Sequence, residues 1–231
     1  MGVTRWVLCS IGSCMSLAVR FHEAVALLGR YPALAGLDLE IEAGEIVLLQ
    51  GPNGAGKTSL LRCCSGLLEV SSGEAQVLGH DLRRERRSVR RHVAMLGHEN
   101  HLYADLEVMD HLRFRASAAG AARVEIKDAI ERMEIPARLL RVSTERLSAG
   151  QRRRVAIASL ILRRPTLWLL DEPHAGLDSD GRVAVDRLLR DAAAAGSTVI
   201  FASHELERAR SVATRTVHIV GGQATESVDV A

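Results

Sequence analysis

Aromatic residues are scarce here: two tryptophans, two tyrosines and three phenylalanines serve all 231 residues. Stacking platforms for single-stranded nucleic acid need several such rings along one surface, so the sequence argues against that class. A net charge of +2 is also too small to mark a polyanion binder, and no nucleic-acid partner is expected. Cysteine is limited to Cys9, Cys14, Cys63 and Cys64. Adjacent Cys63 and Cys64 cannot easily bridge each other, and no Cys/His spacing fits a zinc site. They read as small apolar helix residues of a reducing, cytoplasmic compartment. Long apolar runs are missing too: the longest uncharged stretch, Trp6 to Val19, falls short of the roughly 20 residues that span a bilayer. Arg5 ahead of it gives some likeness to a signal peptide. The plainer reading starts the folded part at Met15 and leaves residues 1–14 as a flexible extension.

What is present is an ordinary core-forming composition, 47% hydrophobic and 25% charged, enough for one large α/β domain or two small ones. Residues 17–28 and 37–42 read as early strands, and "EIVLLQ" (45–50) as a short, fully buried parallel strand. "TSLLRCCSGLLE" then places Leu60, Leu61, Cys64, Leu67 and Leu68 at helical spacing. The pattern is mainly helical from about 100 to 165. Two more buried strands follow, "TLWLLD" (166–171) and "STVIFAS" (197–203), with an amphipathic helix near 181–194 between them. The tail "RTVHIVGGQATESV" reads as a hairpin around Gly221-Gly222. "DLRRERRSVRRH" (81–92) reads as a solvated basic face, the alternative being contact with anionic lipid or an acidic partner. Strands flanking a helical insertion imply an α/β core over residues 15–231, with a helical subdomain at about 100–165.

Three constellations carry chemistry. "GPNGAGKTS" (Gly51, Pro52, Asn53, Gly54, Ala55, Gly56, Lys57, Thr58, Ser59) follows an expected strand and opens an expected helix. Glycines let consecutive N–H groups converge on one anion, and the helix N-terminus adds partial positive charge. Lys57 would reach the β- and γ-phosphates of a nucleoside triphosphate, and Thr58 would offer its hydroxyl to Mg²⁺. "LWLLDEP" ends a buried strand in two carboxylates that point to opposite faces. Asp171 would hold Mg²⁺, and Glu172 would serve the attacking water as base or orienting group. Trp168 within the strand reads as core. "LSAGQRRR" (147–154) puts Leu147 and Ser148 at a helix N-cap, where Ser148, Ala149 and Gly150 offer a second anion site.

"GPNGAGKTS", "LSAGQ", "LLDEP", "AGLD" (175–178) and "ASHE" (202–205), in that order, resemble the ATP-binding-cassette ATPases over almost the whole chain from about residue 17. The resemblance implies a P-loop NTPase core with an antiparallel β subdomain and a helical subdomain bearing the signature motif. It implies ATP and Mg²⁺ as cofactors and head-to-tail pairing of two cassettes. Leu147, Ser148, Ala149, Gly150 and Gln151 would then cap ATP in trans, with Ser148 and Gly150 on the γ-phosphate. Asp178 would link the two sites, and His204 would hold the γ-phosphate and the water. Two positions depart from the family pattern. Leu28 falls where an aromatic usually stacks on adenine, with Tyr31 three residues later; either Tyr31 swings in or the base rests on an aliphatic chain. The usual glutamine that senses Mg²⁺ and contacts the membrane partner falls at His98, beside Glu99, and either or both take its role.

Within the family, "LSAGQRRRVAIA", "TLWLLDEP" and "LGHE" resemble the ATPases of cytochrome c maturation haem exporters. The alternative is the ATPase of a drug, lipid or antibiotic exporter. Either implies a separate transmembrane permease and a peripheral place on the cytoplasmic face of the membrane. A soluble cassette ATPase of DNA repair or translation would need a coiled-coil insertion or a second cassette, and the span from Lys57 to Ser148 leaves room for neither. A phosphotransferase is disfavoured by the signature motif and His204.

Overall fold

The computed structural model describes residues 17–229, with side chains to residue 225; the expected extension at residues 1–14 and start at Met15 lie outside them. A long antiparallel hairpin, β1 (Leu17–Leu28) and β2 (Tyr31–Glu42), leads into β3 (Ile46–Gln50) and α1 (Lys57–Cys64). Next come β4 (Ser72–Val77), β5 (His80–Asp81), α2 (Leu82–Val89) and β6 (Val93–Leu96). The helical part holds α3 (Val108–Ala119), α4 (Arg123–Arg132) and α5 (Ala149–Ile161). The chain then returns through β7 (Leu167–Asp171), α6 (Ser179–Ala194), β8 (Thr198–Ala202) and α7 (Leu206–Val212) to the hairpin β9 (Arg215–Val220) and β10 (Gln223–Asp229).

These strands make two sheets. One is antiparallel in the order β2-β1-β4-β5; the other runs β10-β9-β3-β8-β7-β6, parallel from β9 to β6 with β10 antiparallel at its edge. Alternation explains why the central strands are apolar throughout. Ile46 and Leu48, Trp168 and Leu170, and Val199 and Phe201 face a core shared with α3, α5 and α6. Val47 and Leu49, Leu167 and Leu169, and Ile200 and Ala202 face a second core shared with α1 and the antiparallel sheet. Each strand is therefore buried on both faces. Trp168 is core, as expected, and Cys63 and Cys64 are fully buried in the second core.

Three readings need correction. The helix after the glycine loop stops at Cys64, so Leu67 is 60% exposed instead of continuing the apolar stripe. The backbone turns there because Leu67 N–H and Leu68 N–H both return to Arg62 O. β2 begins at Tyr31 instead of residue 37, because its first residues complete the hairpin with β1. The basic stretch is only partly a solvated face. Leu82 and Val89 of α2 are buried, Arg86 pairs with Glu69 at 3.1 Å, and Arg90 donates to Gly66 O at 2.8 Å.

Candidate active site

The glycine loop joins β3 to α1, and two of its glycines are required by close approach. A Cβ on Gly51 would lie 2.1 Å from Ile219 O, and one on Gly56 would lie 2.5 Å from Ala33 O. Gly56 is also the N-cap of α1 with φ +109, a conformation glycine adopts without strain. The turn of the terminal hairpin supports the loop, with Gly222 N–H donating to Ala55 O at 2.8 Å. Lys57 Nζ folds back on the loop, donating to Gly51 O at 2.7 Å and Pro52 O at 2.9 Å.

The ends of β7 and β8 stand opposite this loop. Thr58 Oγ1 donates to Asp171 Oδ2 at 2.7 Å, so the two groups read as metal ligands converge. Asp171 has the face parity of Leu167 and Leu169, which directs it toward α1. Glu172 departs from the strand with φ +52, and its amide donates to Ala202 O at 2.9 Å. Its Oε2 accepts from the His204 amide at 3.1 Å, while His204 Nε2 lies 3.6 Å from its Oε1. Partial burial raises the Glu172 pKa above the ordinary value of 4.5, and Asp171 adds to the rise. The His204 amide, the His204 ring and Lys57 oppose it. A carboxyl shifted toward neutrality at a cleft wall suits proton transfer.

Loop and strand ends enclose a cleft of about 540 Å³. Asn53 through Ser59, Asp171, Glu172 and His204 line it, as do Leu28, Tyr31 and His98. Leu28 and Tyr31 are 54% and 81% exposed, side by side across the β1–β2 turn. His98 also lines an adjoining groove of about 430 Å³ beside the helical subdomain, together with Glu99, Asn100 and Arg152. Glu99 is absent from the residues lining the first cleft, which separates the two positions that sequence left equivalent.

Leu147 to Gln151 do not line the cleft either. Ser148 caps α5, accepting from Gln151 N–H at 3.2 Å, while Gln151 Oε1 accepts from Ser148 N–H at 3.0 Å. Ser148 and Ala149 are exposed, while Leu147 is buried in the core, where its side chain anchors the motif. Asp178 caps α6, accepting from Gly181 N–H at 3.0 Å and from Arg154 Nη2 at 2.6 Å; that hydrogen bond from Arg154 lowers its pKa.

Sequence reasoning missed Arg153, His174, Asp186 and Arg208. Arg153 is 3% exposed and sits in a run of three arginines that looks uniformly solvated. Helical spacing offered the signal, since the middle arginine falls on the apolar face of α5 beside Ala156 and Ile157. His174 and Asp186 form a buried pair, with no sequence pattern marking them.

A glycine loop between strand and helix, facing a carboxylate-tipped parallel strand, defines a P-loop nucleotide-binding fold. A model of the ABC transporter family matches residues 34–175, and this chain belongs to that family, as its ATPase component. It is 38% identical over 194 residues to "Cytochrome c biogenesis ATP-binding export protein CcmA" of Xanthomonas axonopodis pv. citri, covering 84% of this chain and 90% of that protein. It is 36% identical over 200 residues to the protein of the same name from Cupriavidus pinatubonensis, covering 84% and 88%. Among solved structures, a dimeric ATP-binding cassette in a post-hydrolysis state bound to ADP and Pi superposes with a TM-score of 0.84 at 23% identity, over 92% of this chain and 99% of that one. That last likeness is one of fold. No helix among the described residues is long and apolar enough to cross a membrane.

Proposed function

We propose that this chain binds MgATP between Gly51–Ser59 and Asp171–Glu172 and hydrolyses it to power export through a separate permease. The observation that carries this reading is the 2.7 Å contact of Thr58 with Asp171, in one cleft with Lys57, Glu172 and His204. The donor set is hydroxyl and carboxylate oxygen, which suits Mg²⁺. Among the described residues no group of three or more His, Cys, Asp and Glu side chains could hold a metal alone, so phosphate and water oxygens would complete the shell. Mg²⁺ when bound would neutralise charge building on the transferring phosphate.

The protein groups then divide the work. Loop amides of Gly54 to Thr58 and the α1 N-terminus hold the phosphates, and Lys57 exchanges its two carbonyl partners for β- and γ-oxygens. Glu172 takes or orients the proton of the attacking water, with His204 beside it on the γ-phosphate. Tyr31 and Leu28 flank the adenine. Ser148 and Ala149 are exposed and do not line their own cleft, so the lid on the γ-phosphate is read as coming from a second cassette, and Asp178 as lying at that interface. His98 borders both the cleft and the adjoining groove, so it, in preference to Glu99, would carry closure to the permease.

The relatives' names support export in cytochrome c biogenesis, and haem is the cargo we assign. A peripheral position on the cytoplasmic membrane face goes with that role. The experiment is Glu172→Gln: ATP binding should persist while turnover falls at least about a hundredfold, with ATP-dependent dimers accumulating. Turnover at the wild-type rate would overturn the assigned chemistry. Membrane subunits that co-purify with the chain but carry no haem would overturn the cargo alone.

A further inference from the structure

The segment from Glu172 to Asp178 joins two groups that act at different places, one at the cleft and one at the expected interface. It leaves β7 through a residue at positive φ and is held by two turn bonds, Ala175 N–H to Glu172 O at 3.1 Å and Leu177 N–H to His174 O at 3.2 Å. Midway along it, His174 turns inward and is 1% exposed. Its Nε2 lies 2.8 Å from Oδ1 of Asp186, about two turns into α6 and 6% exposed. The other carboxylate oxygen of Asp186 is engaged by Arg208 Nη1 of α7. That helix begins just after His204. A second bridge joins the same helices, Arg182 Nη2 to Glu205 Oε1 at 3.2 Å.

One buried carboxylate thus receives a donor from each of two elements. The first carries Glu172 at one end and Asp178 at the other; the second begins just after His204. Burial favours the neutral imidazole of His174 more than Asp186 favours its charged form, so Nε2–H is the donor and the buried Nδ1 has no hydrogen-bond partner. Losing either donor would leave a buried carboxylate short of a partner, and the two elements would settle at a different spacing.

We propose that His174, Asp186 and Arg208 form a positioning network that fixes Glu172 relative to His204 and couples both to Asp178. None of the three lines the cleft, so all act through their neighbours. The proposal rests on the roles assigned above to Glu172 and His204.

His174→Phe keeps bulk and removes the donor, whereas His174→Gln keeps an N–H near the place of Nε2. The Phe variant should lower kcat about tenfold with KM for ATP within about twofold of wild type, and the Gln variant should recover most of the loss. Equal and wild-type kcat in both, or a Gln variant as slow as the Phe variant, would overturn the network. So would losses in kcat and KM that track a falling melting temperature, which describes plain destabilisation. Should the Phe variant not fold, Arg208→Gln, at a partly exposed site on the other oxygen of Asp186, carries the same expectation. Glu172→Gln in the same assay separates the two ideas: an active Glu172→Gln sinks the catalytic assignment, and an inactive one beside a fully active His174→Phe sinks the network alone.

Discussion

Arg153 donates from Nη2 to the main-chain carbonyls of both Asp171 and Glu172, at 2.6 Å each. Its Nη1 reaches Gly97 O at 2.9 Å and Asn100 Oδ1 at 3.0 Å. One guanidinium therefore ties α5, headed by the signature motif, to the carboxylate-bearing end of β7 and to the loop that carries His98. Burial of this cation is costly and pushes its pKa down to about 10, with Asp171 and Glu172 pulling the other way.

Arg153→Lys should test that junction. A single ammonium cannot reproduce a planar fork that serves four acceptors, so at least one buried carbonyl is left unpaired. Stability to urea should fall by about 1–3 kcal/mol, with a fall in kcat as Glu172 loses its fixed backbone. A change within about 0.5 kcal/mol would show that water or a shifted loop replaces the contacts.

Glu172 has a raised pKa in the fold, so its titration links activity and stability in opposite directions. Activity that needs the carboxylate should appear with an acid limb whose midpoint lies above 4.5, the ordinary glutamate value. For stability, the folded state binds more proton than the unfolded chain between 4.5 and the raised pKa. Stability contributed by this group is therefore lost as pH rises through that window. Glu172→Gln should flatten that part of the stability profile. An acid limb at or below 4.5 in the pH dependence of kcat/KM would contradict this account.

Much of the site was legible because its chemistry is compressed into short motifs. Gly51 to Ser59 carry their own strand and helix context, and Asp171 announces its face through the alternation of β7. Long-range ties were not legible. That His98 and not Glu99 borders the cleft depends on how the loop after β6 leaves the sheet, which periodicity does not encode. His174 stays unmarked in the sequence because its partners, Asp186 and Arg208, lie on two later helices. Leu67 misled for the opposite reason: its spacing fits a helix that Gly66, at φ +68, had already ended through the local bonds of Leu67 and Leu68 N–H to Arg62 O.

The signature motif needs a test that separates its structural from its functional duty. Gly150 is packed so closely that a Cβ would lie 2.5 Å from Gly176 O, so Gly150→Ala should damage the fold whatever the motif binds. Ser148→Ala removes a helix cap, at about 1 kcal/mol. Ser148→Asp is the informative change, since aspartate caps a helix as well as serine does but places a negative charge toward phosphate. Melting temperature should stay near wild type while ATP-dependent dimerisation, followed by light scattering, is lost. Dimers of normal affinity in that variant would place the motif away from the nucleotide.

The end of the cleft assigned to adenine in the proposed function offers two neighbours and no sequence rule for choosing between them. Tyr31 presents a ring that is 81% exposed, and Leu28 across the turn presents an aliphatic chain. Stacking on an aromatic face is worth more than contact with leucine, because ring quadrupole and flat area add to apolar burial. Tyr31→Ala should therefore raise KM for ATP roughly fivefold to tenfold, equivalent to about 1–1.4 kcal/mol, with kcat unchanged. Leu28→Ala should cost less than half as much free energy. A stacking contact reads no base edge, so GTP should be hydrolysed with a KM within about threefold of that for ATP, and Tyr31→Ala should weaken both alike. If Leu28→Ala raises KM while Tyr31→Ala leaves it unchanged, the base rests on the aliphatic chain and the exposed ring is free for another contact. If GTP is rejected strongly, a hydrogen-bonding group must read the base edge, and neither side chain can supply that discrimination by stacking alone.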